Sequence, residues 1–118
     1  MKAILVFNGK WKLSKQNSYL AGKYGRKYKN PDYDAEQQRM FCTFISPLLK
    51  QGWKCTKKQV AMTITFHGPK MPCDWDNCGL LTDTFQGPVV ENDNQFYPVT
   101  VDFVKQEDRK IVVELQEV

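Results

Sequence analysis

Residues 60–67 read VAMTITFH, so that Val60, Met62, Ile64 and Phe66 fall on one side of an extended chain and Ala61, Thr63, Thr65 and His67 on the other. Alternation with a period of two specifies a half-buried strand, because slipping the register by one residue would turn the whole apolar set toward water. One face of a sheet containing this strand therefore has to be covered. The cover is legible just upstream, in DAEQQRMFCTFISPLLKQG, where Asp34 is a candidate N-cap, Gln37 follows three residues later and Gly52 is a candidate C-cap. Met40, Phe41, Phe44, Ile45, Leu48 and Leu49 recur in pairs four apart, the spacing of a core-facing helical stripe. Pro47 removes a backbone donor within that stripe, so the last turn is expected to kink or the helix to end early.

The remaining elements extend the same plan. KAILVF, bounded by Asn8-Gly9, reads as a first strand. A short helix is expected to start just after Asp76, to carry Leu80, Leu81 and Phe85, and to stop at Gly87-Pro88. VTVDFV and KIVVELQ flank the polar KQEDR and read as an antiparallel hairpin. The expected fold is a single α+β domain over residues 1–118, a small mixed β-sheet covered on one face by two helices. A chain of 118 residues buries about two-thirds of its unfolded surface and needs neither a metal nor a disulfide to fold. No apolar run approaches the roughly 20 residues that span a bilayer, and the apolar start is too short for a signal peptide. A cytoplasmic protein with no membrane partner is the expectation, with Cys42, Cys55, Cys73 and Cys78 as reduced thiols.

Charge is unevenly spread. Residues 1–31 hold eight Lys or Arg and no Asp or Glu, whereas residues 32–118 hold nine basic and thirteen acidic side chains. From residue 8 to 31, Lys10, Lys12, Lys15, Lys23, Arg26, Lys27 and Lys29 alternate with Trp11, Tyr19, Tyr24 and Tyr28 and with Gly9, Gly22 and Gly25. This segment is too polar and glycine-rich for a core element and reads as an exposed arm or loop. Its cations suit phosphates and its aromatic faces suit unpaired bases, which points to nucleic acid; a solvated loop is the alternative.

The acids concentrate in PCDWDNCGLLTDTFQGPVVENDNQF, residues 72–96. Pro72 favours extended backbone, in which Asp74 and Asp76 share a side. Asp93 offers a third carboxylate, and three carboxylates facing one spot repel unless a cation or proton intervenes. Mg²⁺ suits such oxygen ligands. Each acid also has a plainer reading. Asp76 or Asn77 could cap the short helix, Asp74 and Asp93 could form turns, Asp83 could support the site or face solvent, and Glu91 reads as surface. Trp75 could wedge into a nucleic acid, pack in a dimer interface, or belong to the core. A zinc site drawn from His67, Cys73 and Cys78 with Cys42 or Cys55 lacks the usual ligand spacing.

The run DWDN, a short helix bearing an Asp and closing on glycine (TDTFQG), and then ENDNQ resembles the D-x-D-N … D-a-l-x-G … D-D-x-Q pattern of RusA-type Holliday-junction resolvases, over roughly residues 60–117. The resemblance implies a symmetric homodimer with Mg²⁺ as cofactor (Mn²⁺ in its place), acting in recombination and repair. Its substrate would be a four-way DNA junction rather than a small molecule. Asp74, Asp76 and Asp93 take the catalytic metal-site positions, with Asn77, Asp83 and Gln95 around them. Asn92 stands where many members have a further Asp. Lys10, Lys12, Lys15, Lys23, Arg26, Lys27, Lys29 and Lys70 are the expected DNA-binding residues. Members usually carry a lysine four residues after the second aspartate; Leu80 stands there, with Lys70, Lys57 or Lys58 as substitutes for the missing cation. Restoring it as Leu80→Lys is expected to raise the rate. A catalytically weak or silent junction-binding protein is the alternative reading.

Overall fold

The computed structural model describes residues 1–14, 19–21, 25 and 27–118. Strand β4 (Val60–Gly68) forms where the alternation requires it, with Val60, Met62, Ile64 and Phe66 buried. It sits inside a four-stranded sheet with β1 (Lys2–Asn8), β5 (Phe96–Lys105) and β6 (Lys110–Glu117), in the order β1-β6-β4-β5. β1 and β6 pair antiparallel, as do β6 and β4, while β4 and β5 run parallel. The sheet is therefore mixed, as expected, but β5 and β6 are not a hairpin. β4 lies between them, and the 106–109 loop crosses over its end. The Gln106 N–H donates to the Gly68 carbonyl at 2.9 Å, and a Cβ built on Gly68 would meet Arg109 Cγ at 3.3 Å. Glycine lets the crossing loop lie close against the strand end.

Helix α1 (Pro31–Lys50) starts earlier than the sequence pattern indicates. Asn30 rather than Asp34 is the cap: its side chain accepts the Asp32 N–H at 3.0 Å, and Pro31 occupies the first turn, where its missing donor costs nothing. The helix continues past Pro47 to Lys50, and Gly52 follows with φ +80, the left-handed conformation that glycine tolerates best. Its buried face is narrower than the sequence stripe. Tyr33, Met40, Phe44 and Leu48 are buried and Ile45 is half-buried, but Phe41 and Leu49 are exposed.

Helix α2 (Gly79–Phe85) buries Leu80, Leu81, Thr84 and Phe85. Phe44 and Phe85 meet edge to face at 5.1 Å, with Phe7 of β1 and Phe96 of β5 against the same pair. Both helices thus cover one face of the sheet. The other face, with Ile4 and Val6 exposed on β1, has no helix over it among the described residues. Within the basic segment, β2 (Tyr19–Ala21) and β3 (Lys27–Lys29) form a two-stranded antiparallel ribbon rather than a plain loop. No helix among the described residues is long and apolar enough to cross a membrane.

Phe44 is 1% exposed and Phe41 36%. Phe44→Ala should therefore cost about 3–5 kcal/mol in urea unfolding, and Phe41→Ala under about 1 kcal/mol; equal losses would mean that α1 packs by its other edge.

Candidate functional site

Between Gly68 and α2 the chain carries Pro69 and Pro72, which have no N–H to give a ladder, and it condenses into a single 3₁₀ turn, Trp75–Asn77. The Asn77 N–H donates to the Asp74 carbonyl at 2.9 Å and the Cys78 N–H to the Trp75 carbonyl at 3.0 Å. Trp75 is half-buried against the core and anchors the turn. Its neighbours Asp74 and Asp76 are exposed. Neither carboxylate is used as a cap. Asp74 precedes the turn without a side-chain capping bond, and the residue before α2 is Cys78, also without one. The capping role open to Asp76 and Asn77 in the sequence is thus not the one they take at α2. Both acids lie close to Cys78: burial, the hydrogen-bonded Cys73 thiol, and then the charges of Asp76 and Asp74 push its thiol well up.

Asp93 is placed elsewhere. It opens a second 3₁₀ turn, Asp93–Gln95, beyond the far end of α2. Gln95 fixes that turn: its Oε1 accepts the Asn92 N–H at 2.8 Å, while its Nε2 donates to the carbonyls of Thr56 at 2.7 Å and Lys58 at 2.8 Å. Thr56 and Lys58 precede β4, whereas Asp74 and Asp76 follow it. No three His, Cys, Asp or Glu side chains among the described residues group so as to hold a metal ion. Asp74, Asp76 and Asp93 do not make up such a group. Asp74 and Asp76 remain two exposed carboxylates at one turn.

The remaining expected positions divide similarly. Asp83 is not a solvated helix residue; its Oδ2 accepts the Tyr33 hydroxyl at 2.8 Å and ties α2 to α1. Asn77 is half-buried on the turn itself. Leu80 is 0% exposed, so a lysine there would bury an ammonium, and Leu80→Lys should weaken the fold rather than raise a rate. Of the possible substitute cations, Lys57 lies 4.0 Å from Glu91 at the Asp93 side, with Lys58 beside it. Lys70 is at the Asp74 side, in the wall of a cleft that ends at Pro72.

Lys10 lines this cleft too, joined by three cationic or titratable residues absent from the sequence-based set: His67, Arg109 and Lys110. Arg109 and Lys110 were hidden because KQEDRK has the composition of any polar turn, and only the crossing of β4 brings it here. Lys15, Lys23 and Arg26 lie outside the described residues, as does Tyr24. Lys27 and Lys29 are located only as positions on β3. Lys12 is exposed, and its N–H donates to Glu36 Oε2 at 2.8 Å. Trp11 is not available for base stacking: it is buried edge-on to Phe7, with the Arg39 guanidinium 3.5 Å from its ring centroid. Arg39 also donates to the Lys10 carbonyl at 2.8 Å and to Glu36 at 2.6 Å, so α1 holds the start of the basic segment in place.

Neither a protein-family model nor a curated protein matches this chain, which leaves the geometry of this end of the sheet as the ground for a functional reading.

Burial works against the Glu36 carboxylate, but the Arg39 hydrogen bond, the Lys12 N–H and their charges outweigh it and hold its pKa below the usual 4.5. A lowered folded-state pKa means that this stabilisation is present above pH 4.5 and is lost as pH falls through the folded value. Glu36→Gln should lower stability at pH 7 by on the order of 1 kcal/mol and flatten the acid limb of a stability–pH curve; an unchanged limb would show that Glu36 does not secure this segment.

Proposed function

We propose that this chain is a Mg²⁺-dependent endonuclease of the RusA type, which as a symmetric homodimer binds four-way DNA junctions and nicks two opposed strands in recombination and repair. One observation carries the reading: two exposed carboxylates, Asp74 and Asp76, free of capping duty, sit on an anchored turn beside a cleft walled by cations. Carboxylates for a hard cation and ammonium groups for phosphate are the two requirements of phosphodiester hydrolysis, and here they adjoin. A divalent ion bound there would polarise the phosphodiester and acidify a water. The chain's own part is to hold Asp74 and Asp76 outward through Trp75, to offer Lys70 as the nearby cation in place of the one missing at Leu80, and to grip the backbone through the basic segment. A junction has approximate two-fold symmetry and needs paired cuts, which an isologous dimer supplies. In such a dimer Asp93, which forms no metal-holding group with Asp74 and Asp76 in its own chain, would come to that pair from a second copy. Mn²⁺ meets the same oxygen ligands.

A second reading, a junction-binding protein with little or no cleavage, is favoured by the burial of Leu80 at the position of the usual lysine. Removing one such electrostatic stabiliser costs on the order of 10²- to 10³-fold in rate.

Nicking of a labelled four-way junction in Mg²⁺ separates the two. Asp74→Asn and Asp76→Asn should each abolish nicking while leaving retardation in EDTA equal or tighter. Asp93→Asn should also be inactive alone, and mixing it with Asp74→Asn should restore single nicks. An active Asp74→Asn protein would overturn the nuclease reading, and an active Asp93→Asn protein would reduce that residue to a turn former.

A further inference from the structure

The cleft at the end of the sheet has a composition and a construction that the basic segment does not explain. Its volume is about 250 Å³, and Lys10, Lys70, Arg109 and Lys110 line it with His67, without a carboxylate among its lining residues. These residues come from four separate places: the end of β1, the end of β4, the turn after it, and the loop entering β6. None of the four cations forms an ion pair with a carboxylate among the described residues. Four like charges gathered without a counter-charge are unfavourable in the isolated protein, and an anion relieves the repulsion.

The framework is held by backbone bonds rather than by the charges themselves. The Gly9 N–H donates to the Arg109 carbonyl at 2.8 Å, and the Gln106 N–H to the Gly68 carbonyl at 2.9 Å. Gln106 Nε2 closes the loop onto the Asp108 carbonyl at 2.9 Å, and its Oε1 lies 3.1 Å from His67 Nδ1. On the other flank, Arg39 holds the Lys10 carbonyl. Asp108 and Glu107 are exposed in the same loop but do not line the cleft. The neighbouring cavity over Lys12 and Tyr33 differs, because Asp32 and Glu36 lie in its wall and would repel an anion.

We propose that this cleft is a phosphate-binding site, in which Lys70, Arg109 and Lys110 clamp a phosphodiester of the nucleic-acid backbone next to the Asp74–Asp76 turn, independently of residues 8–31 beyond Lys10. The proposal rests on the nucleic-acid reading for the identity of its ligand, and on the cation cluster alone for its affinity for phosphate. A phosphodiester fits better than a free nucleotide, since no described aromatic face is open in the cleft: Trp11 and Phe66 are buried.

Two measurements test it. The first follows junction binding in EDTA against salt for the wild type and for Lys70→Gln combined with Arg109→Gln, with circular dichroism to confirm folding and with the exposed Lys70→Gln alone as the variant least able to disturb the fold. The slope of log K against log salt should flatten by about 0.9 for each phosphate that is no longer neutralised, hence by about 0.9 for the pair, since both cations face the same phosphodiester; an unchanged slope in folded protein overturns the clamp. The second titrates inorganic pyrophosphate into the wild type and follows backbone amides by NMR. Shifts at Gly9, Gly68 and Arg109 are expected. If these appear while the wild type retains no junction DNA, the phosphate site stands and the nucleic-acid reading falls. If junction DNA binds with an unchanged slope and pyrophosphate moves none of these amides, the nucleic-acid reading stands and the site falls.

Discussion

The placement of β4 between two strands that are neighbours in sequence governs this molecule. Because β5 pairs parallel to β4 on one side and β6 antiparallel on the other, the four-residue connection from Lys105 to Lys110 has to pass over the end of β4. The crossing is tolerated because residue 68 has no side chain to obstruct Arg109. It brings Arg109 and Lys110 to the end of the sheet from which the chain leaves for Asp74. The cationic cleft and the exposed carboxylates are thus neighbours by topology, although a helix and a whole strand separate them along the chain.

Charge of opposite sign is kept apart within that region by simple means. Trp75 turns its ring to the core, which leaves the side chains on either side of it in water. The Lys70 side of the turn carries cations and the Asp74 side carboxylates, an arrangement suited to a ligand that is itself an anion binding a cation. Asp93 belongs to a different corner. Gln95 fastens its turn to the chain entering β4, whereas Asp74 and Asp76 follow the end of that strand. Under the proposed nuclease reading, a site using all three acids would draw Asp93 from a second copy.

Much of this was legible in the residues. The alternation over 60–67 named the inward-facing side chains of β4 correctly, and the pairs at Met40, Phe44 and Leu48 named the buried line of α1. Phe41 and Leu49 misled because pairs four apart define a stripe wider than one sheet face can cover; Leu49 is left in solvent at the helix end. Asn30-Pro31 outcompeted Asp34 as the helix start because a capping side chain followed by proline satisfies the first turn without loss. The supposed hairpin failed for a reason that local pattern cannot hold, since nothing in residues 96–117 records that another strand inserts between them. The same blindness concealed Arg109 and Lys110, which only the crossing of β4 brings to the cleft.

The central claim is that the Asp74–Asp76 turn, set against the cationic cleft, is where a divalent ion and a DNA phosphate meet. Paramagnetic broadening of the protein's amide resonances by substoichiometric Mn²⁺, recorded with an uncleaved four-way junction bound, tests it most directly. The account predicts broadening centred on residues 74–77 and extending to the Asp93 turn of the second copy. Broadening confined to carboxylates away from residues 74–77, or the same pattern with and without junction DNA at every acidic patch, would contradict it.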